Sequence, residues 1–421
     1  MLITTSEVNA VKSIENGMRF LCGETHMLTG ICAAYGTGSS HEALLHGNAR
    51  ELQMISGRLE SDPAPLGTDS IYDLASLSKV FIAVLIMMLS ERGMLDLNET
   101  IGRIDSRFVH LKDTTVFDVL CFRACLQTPG RIDDAPTREE GLRRLFECRT
   151  AELPRIRIYS DINAMILKYI IEEKTGLPYS DAVRRMILQP AGMNETFSQV
   201  PADMKPRCVC YNYEHRITGD SYLLRTDVPA GTAHDPKALR LSDGGSDLCG
   251  HAGIFSTCKD MVRLSQALLC GELLSHESLL EIGKNRTGMA HDDQTYRQYL
   301  GFQCFTKHPL QRLSEVPSWM SGASIALSGF TGNHLSIDPI QGLFVIFLGN
   351  RCHGRVSHIT PPRGETVEKY GLRSDGTGFV PWPDGRLVPS SSGYVYFKDA
   401  HLHAPIRERM ERLGWLHASR V

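Results

Sequence analysis

The most apolar stretch of the chain is 80–89, VFIAVLIMML, which has no polar position on any helical face and is flanked by Lys79 and by Ser90-Glu91-Arg92-Gly93. It has about half the length that a bilayer-spanning helix requires. A short helix that is apolar all round belongs at the centre of a core, and Gly93 supplies a C-terminal stop. Residues 5–20 read as a helix, and two strands follow over 27–35 and 42–46, joined through Gly36-Thr-Gly-Ser-Ser40, which has hairpin-loop chemistry. From about 105 to 200 apolar positions recur at helical spacing. The clearest cases are 164–174 (AMILKYIIEEK), which stops at Thr175-Gly176, and 179–188, which stops before Pro190. Residues 200–250 are rich in Pro, Gly and Asp and read as irregular connections, followed by a helix over 261–269. Three short β-type runs, 324–330, 333–338 and 342–348, are separated by Thr331-Gly332 and Asp338-Pro339 and predict an antiparallel meander. A last helix is expected over about 402–413.

Strands towards both ends of the chain with helices between them predict an α+β protein. The expected division is a discontinuous sheet domain, 1–104 and 245–421, interrupted by a mainly helical domain over 105–244.

Composition narrows the function. With 42% hydrophobic and 22% charged residues in 421, the chain has globular usage, which excludes a disordered or collagen-like protein. The net charge of −3 comes from 45 basic and 48 acidic residues without a basic block, so nucleic acid is not an expected partner. The 12 cysteines share no repeated spacing, and Cys208-Val-Cys210 has no second pair at zinc-finger spacing, so a structural metal is not expected. Reduced thiols, and an N-terminal stretch without a secretory pattern, lead to the expectation of a cytoplasmic protein with no membrane partner.

The sharpest candidate for chemistry is Ser76-Leu-Ser-Lys79, at the start of the buried helix. Positions i and i+3 share a helical face, which brings the Lys79 amine to the Ser76 hydroxyl. A lysine whose pKa is lowered by burial can take the proton that makes a serine nucleophilic, and the helix N-terminus offers N–H groups to an oxyanion. The bland alternative is that Ser76 is an N-cap. Ser256-Thr-Cys-Lys259 has the same spacing with no buried run after it, and reads as a surface helix start with Ser256 as N-cap. The second candidate is Tyr159-Ser-Asp161, following Ile156-Arg-Ile158: a tyrosine that is either a core residue with its hydroxyl satisfied or a phenol or phenolate that relays a proton beside an ammonium, and a carboxylate that either bonds to Lys79 or caps the helix after it.

Together these residues resemble the serine β-lactamase and penicillin-binding-protein superfamily, in its class C-like, esterase and D-alanyl-D-alanine carboxypeptidase branch. Tyr72-Asp-Leu-Ala-Ser-Leu-Ser-Lys79 with Leu95-Asp-Leu97 is similar to the Ser-x-x-Lys segment, and Tyr159-Ser-Asp161 to the Tyr-x-Asn/Asp motif. The stretch from Ile166 through Gln189-Pro-Ala-Gly-Met193 to Thr196-Phe197 is similar to the helix pair that follows. His251-Ala-Gly-Ile-Phe-Ser-Thr257 and Ser328-Gly-Phe-Thr-Gly332, with Ile337-Asp-Pro339 and Leu348-Gly-Asn-Arg351, resemble later segments in the correct order. The resemblance covers about 25 to 352. It implies a β-lactamase/transpeptidase-like fold, an antiparallel sheet flanked by helices plus a helical domain, with the site between them. It also implies roles: Ser76 as the acylated nucleophile, Lys79 and Tyr159 as the proton-transfer pair, the backbone N–H groups of Ser76 and Phe330 as oxyanion hole, and Asp161, Ser328 and Gly329 as substrate-side contacts.

Two departures matter. The third motif of the superfamily normally begins with Lys or His, whereas the triplet here is Leu327-Ser328-Gly329. A cation there would hold a substrate carboxylate and polarise the tyrosine, which Leu327 cannot do. The loss favours neutral esters or amides over β-lactams and C-terminal peptides. Leu120-Cys-Phe-Arg-Ala-Cys-Leu-Gln-Thr-Pro-Gly130 stands where the family has a His-Thr-Ser-Gly-like loop. His234, His251 and His334 are candidates for the missing cation, each with a structural or solvent-facing role as the simpler reading. The expected function is therefore a serine hydrolase that cleaves an ester, amide or short peptide through a Ser76 acyl-enzyme, with no metal and no organic cofactor expected. An acyltransferase with the same intermediate and a catalytically silent binding protein are the alternatives. The expected partner is a small-molecule substrate, and a homo-oligomer is compatible with the sequence. The tail, 353–421, is expected to cover the cleft or to form a subunit contact.

Overall fold

The structure, a computed structural model, describes residues 5–151, 159–243, 247–288 and 298–416. Its centre is a six-stranded antiparallel sheet with strand order β4-β5-β6-β1-β2-β3. In chain order these are β1 (Gly30–Thr37), β2 (His41–Ile55), β3 (Arg58–Pro65), β4 (Ile325–Ser328), β5 (His334–Asp338) and β6 (Leu343–Gly349). The central pair joins the two ends of the chain, Ile31 facing Gly349 and Thr37 facing Leu343. The meander β4-β5-β6 is the one expected from the sequence, in register Ile325 to Ile337 and Asp338 to Leu343.

Both faces of this sheet are covered, which is why β1 and β6 are apolar at successive positions rather than alternately. Cys32, Ala34, Phe344, Ile346 and Leu348 face the larger cluster, which contains α2 (Lys79–Glu91), α3 (Asp161–Thr175) and α4 (Cys258–Leu269). Ile31, Ala33, Tyr35, Val345 and Phe347 face the other way, towards α1 (Thr5–Arg19) and the C-terminal α5 (Ala404–Arg412). Every residue of α2 from Lys79 to Leu89 is buried, as its pattern requires. Burying one large apolar side chain contributes about 1.5–3 kcal/mol, so this helix anchors both the sheet side and the helical side of the core. The π-turn Arg184–Leu188 continues the helix Tyr179–Val183, and Gly176 ends α3 in the left-handed conformation (φ 66°) that favours glycine.

The structure differs from the sequence reading in several places. β2 runs to Ile55 and pairs with β3, which carries Pro63 and Pro65. Its Pro, Ser, Asp and Glu content conceals it, and an edge strand tolerates proline because one side of its backbone needs no partner. The 200–250 stretch contains strands His215–Thr218 and Ser221–Leu224, and the former pairs in parallel with Val356–Thr360 of the tail. The N-cap of α4 is Thr257, whose hydroxyl accepts the Asp260 N–H at 3.3 Å. Ser256 is fully buried and bonds to Thr196 Oγ1 at 2.7 Å, so it is neither a cap nor at the surface. The tail forms a Phe379–Pro381/Leu387–Pro389 hairpin and then the helix Tyr394–Lys398, which leads through Asp399–His403 into α5. The expected Ile156–Ile158 run and the 244/245 domain boundary lie outside the described residues. All 12 cysteines are free thiols, and no helix among the described residues is long and apolar enough to cross a membrane.

Candidate active site

The nucleophile candidate sits in a tight 3-10 turn, Ala75–Ser78, that feeds α2. Ser76 does not cap the helix. The residue before α2 is Ser78, and Lys79 Nζ lies 3.0 Å from Ser76 Oγ. Ala75 has φ +48°, a conformation that costs a residue with a side chain about 1–3 kcal/mol and persists only where its surroundings hold it.

Asp73 does the holding. Its buried carboxylate accepts the Ala75 N–H at 2.9 Å and the His234 N–H at 2.7 Å. Its carbonyl accepts from Thr331 Oγ1 at 3.0 Å and Asn333 Nδ2 at 2.7 Å, both just after the third motif. Gly329 rests directly on this turn: a Cβ there would come within 2.8 Å of the Leu74 carbonyl oxygen. Ser328-Gly329-Phe330 is thereby fastened beside Ser76 by backbone contact that needs no side chain at 327. Leu327 itself is buried in the core.

Lys79 is fully buried, and its ammonium protons have three acceptors: Asp161 Oδ1 at 2.8 Å, Ser76 Oγ at 3.0 Å and the His251 carbonyl at 3.3 Å. Burial lowers its pKa, but the charge of Asp161, together with Tyr159 and the hydrogen bonds, outweighs burial and raises it above the usual lysine range. The base role expected of Lys79 depended on burial lowering its pKa; the Asp161 carboxylate, one of whose two expected roles was to bond to Lys79, reverses that sign. Burial likewise raises Asp161, and the Lys79, His251 and Lys237 charges reverse this and hold it below the ordinary carboxylate range. Of its two expected roles, Asp161 takes the bond to Lys79, while the cap of α3 is Ser160. Its second oxygen lies 3.1 Å from Lys237 Nζ. Lys237 follows Asp235 and Pro236 at the start of a short helix, and Asp235 accepts from His251 Nε2 at 2.9 Å.

Tyr159 packs between Phe122 and Phe305, with ring centroids 5.2 and 5.1 Å away, and Lys79 Nζ lies 5.0 Å from its ring centroid. Phe122 comes from the 120–130 stretch that departs from the family pattern. Phe305 pairs through its backbone with Ala326 on the outer edge of β4. Phe330 is half-buried, stacked on His234 at 5.5 Å. His234, His251 and His334 are all buried rather than solvent-facing. His234 lies 2.9 Å from Glu214; burial opposes its charge, but Cys352 and Glu214 raise its pKa to about 10.

Sequence reasoning missed Asp73, Asp235, Lys237, Phe122 and Phe305 as members of the site. Only Asp235-Pro236 carried a local signal, a capping residue before proline at the first helical position.

Two groups among the described residues bring potential metal ligands together, Glu214/His234/Cys352 and Asp161/Asp235/His251. In both, the carboxylates already face cations: Glu214 faces Arg216 and Arg225, and Asp161 faces Lys79 and Lys237. The donor sets are those of buried ion-pair networks rather than of a cation cage.

An antiparallel sheet covered on both faces, with a serine-lysine pair at its helical side and a tyrosine above, defines a protein of the β-lactamase/transpeptidase fold. The Beta-lactamase family model matches residues 44–364, and the chain belongs to that family, a family of serine hydrolases. A putative D-alanyl-D-alanine carboxypeptidase of Salmonella enteritidis PT4 is 26% identical over 341 residues, 71% of this chain and 74% of the relative. Among solved structures, a class C β-lactamase from Rhodobacter sphaeroides superposes with a TM-score of 0.61 at 19% identity, over 81% of this chain and 95% of the other. EstCE1, described as a hydrolase with promiscuous acyltransferase activity, superposes with a TM-score of 0.63 at 17% identity, over 82% and 95%. At these identities the structural likeness speaks for the fold.

Proposed function

We propose that the protein is a serine hydrolase that cleaves an ester or amide through an acyl-enzyme on Ser76. The observation that carries this reading is the 3.0 Å approach of Lys79 Nζ to Ser76 Oγ within a fully satisfied ammonium site. A silent binding protein would have no need of that geometry, or of the strained Ala75 that presents the serine.

The steps follow from the charges. Lys79 is an ammonium at neutral pH, so it is not the group that deprotonates Ser76 in the free enzyme. The hydroxyl of Tyr159, whose ring neighbours that ammonium, takes the Ser76 proton as Oγ attacks the substrate carbonyl carbon and in the same relay gives its own proton towards the leaving group. The backbone N–H groups of Ser76 and Phe330 receive the developing oxyanion, where prearranged donors are worth most. The proton that Tyr159 gives up completes the leaving alcohol or amine, and water attacks the acyl-enzyme by the same relay. An alcohol or amine in place of that water gives acyl transfer, so hydrolysis and transfer share every residue named.

A screen of nitrophenyl esters of increasing chain length, D-amino-acid amides and a chromogenic cephalosporin, read with intact-protein mass, tests the reading. Turnover of an ester, with an acyl adduct trapped at low temperature, is the expected result. No adduct with any class contradicts it.

A further inference from the structure

Beside the third motif stands a group of polar side chains that chemistry at Ser76 does not use. The Ser328 hydroxyl donates to Glu315 Oε2 at 2.6 Å, and the same oxygen accepts from Lys398 Nζ at 2.8 Å. Lys398 ends the Tyr394–Lys398 helix, beyond residue 364, where the family match stops. It is 3% exposed, so its partner is the carboxylate and not water. Burial raises the Glu315 carboxyl, and Lys398 with the two hydrogen bonds more than reverses this, so Glu315 stays ionised. His334 completes the group, with Nδ1 at 3.4 Å from Lys398 Nζ and 3.1 Å from Ser328 Oγ, and Nε2 at 2.7 Å from Ser336 Oγ. Burial and the Lys398 charge keep it neutral. Its Nδ1 accepts from the ammonium, because the single proton of Ser328 is committed to Glu315.

The arrangement has a direct consequence for what can approach. Ser328 and Glu315 are both half-buried, and Ser328 precedes the Gly329 that touches the nucleophile turn, which sets the Ser328–Glu315 pair at the third motif. A substrate carboxylate arriving there finds the hydroxyl proton already donated and a fixed negative charge within hydrogen-bond distance of it. The chain's own carboxylate fills the place between hydroxyl and ammonium that an anionic ligand would take.

We propose, on the basis of the acyl-enzyme reading, that Glu315 is a specificity-determining residue, held by Lys398 from the C-terminal segment. It closes the Ser328 side of the cleft to carboxylates, so the substrates are esters or amides that are neutral or cationic at the end meeting the third motif.

The test compares 4-carboxyphenyl acetate with its methyl ester on the full chain, with Ser76→Ala as the blank. The wild type is expected to favour the neutral ester at least tenfold in kcat/KM, through KM. Glu315→Gln is expected to narrow that ratio fivefold or more, because Lys398 is left beside Ser328. Lys398→Gln removes the charge that keeps Glu315 ionised and in place, and is expected to narrow the ratio as well, more at pH 5 than at pH 8. Equal use of the two esters by the wild type, or an unchanged ratio in Glu315→Gln, overturns the proposal. A second measurement needs neither the variants at 315 and 398 nor turnover: binding of benzoate and benzamide to Ser76→Ala by calorimetry. Benzamide binding at least tenfold tighter supports exclusion, and benzoate binding as well or better overturns it, whatever the fate of the acyl-enzyme reading.

Discussion

Lys79 and Asp161 form a buried ion pair, Nζ to Oδ1 at 2.8 Å, that ties the start of α2 to the start of α3 and fixes the charge beside Ser76. Because Asp161 is what holds the Lys79 pKa up, Asp161→Asn leaves burial as the dominant influence, and the ammonium then loses its proton at a lower pH. The alkaline limb of the kcat/KM profile is expected to move to lower pH in this variant. Breaking a buried pair from one side costs about 3–5 kcal/mol, so thermal denaturation should show a lowered Tm as well. A pH profile superimposable on the wild type would show that Lys79 does not act as a cation.

Tyr159→Phe keeps the stacking between Phe122 and Phe305 and removes only the hydroxyl. Removal of a general acid–base group typically costs about 10²–10⁴-fold. The expected outcome is a loss of that size in kcat with a near-wild-type Tm, measured by steady-state kinetics and calorimetry.

The contact between Gly329 and Leu74 gives a steric prediction. Gly329→Ala places a methyl group 2.8 Å from the Leu74 carbonyl oxygen, which has to shift and move the Ser76 turn with it. Overpacking of this kind costs about 1–3 kcal/mol. At least a tenfold drop in kcat/KM is expected, whereas Gly23→Ala, with nothing within 4 Å, leaves activity unchanged.

His234 makes stability depend on pH. Its pKa rises from 6.5 to about 10 on folding, against the cost of burial, through Cys352 and Glu214. A raised folded-state value means that the stabilisation is complete below about pH 6.5 and is lost as pH rises through about 10. Tm should therefore fall over that window, and His234→Gln, lower throughout, should lose that part of the slope.

Much of this was legible from local pattern. The all-apolar face of 80–89, the glycine stop of α3 and the meander 324–348 are short-range signals, and the structure contains all three elements. The spacing of Ser76 and Lys79 also needed only one helical turn. What was not legible is long-range. The sign of the Lys79 shift depends on Asp161, 82 positions away, and the support of the third motif depends on Asp73 and Asn333, 260 positions apart. β3 escaped because an edge strand with two prolines has no apolar period to read. Lys398 escaped because nothing in the periodicity of a C-terminal helix shows which face of the sheet it covers.

The central claim is that Ser76 becomes acylated, and the most direct measurement is intact-protein mass after treatment with a fluorophosphonate. The account predicts one phosphonyl adduct per chain, located on Ser76 by peptide mapping and absent from Ser76→Ala. Labelling of the Ser76→Ala protein to the same extent would contradict it.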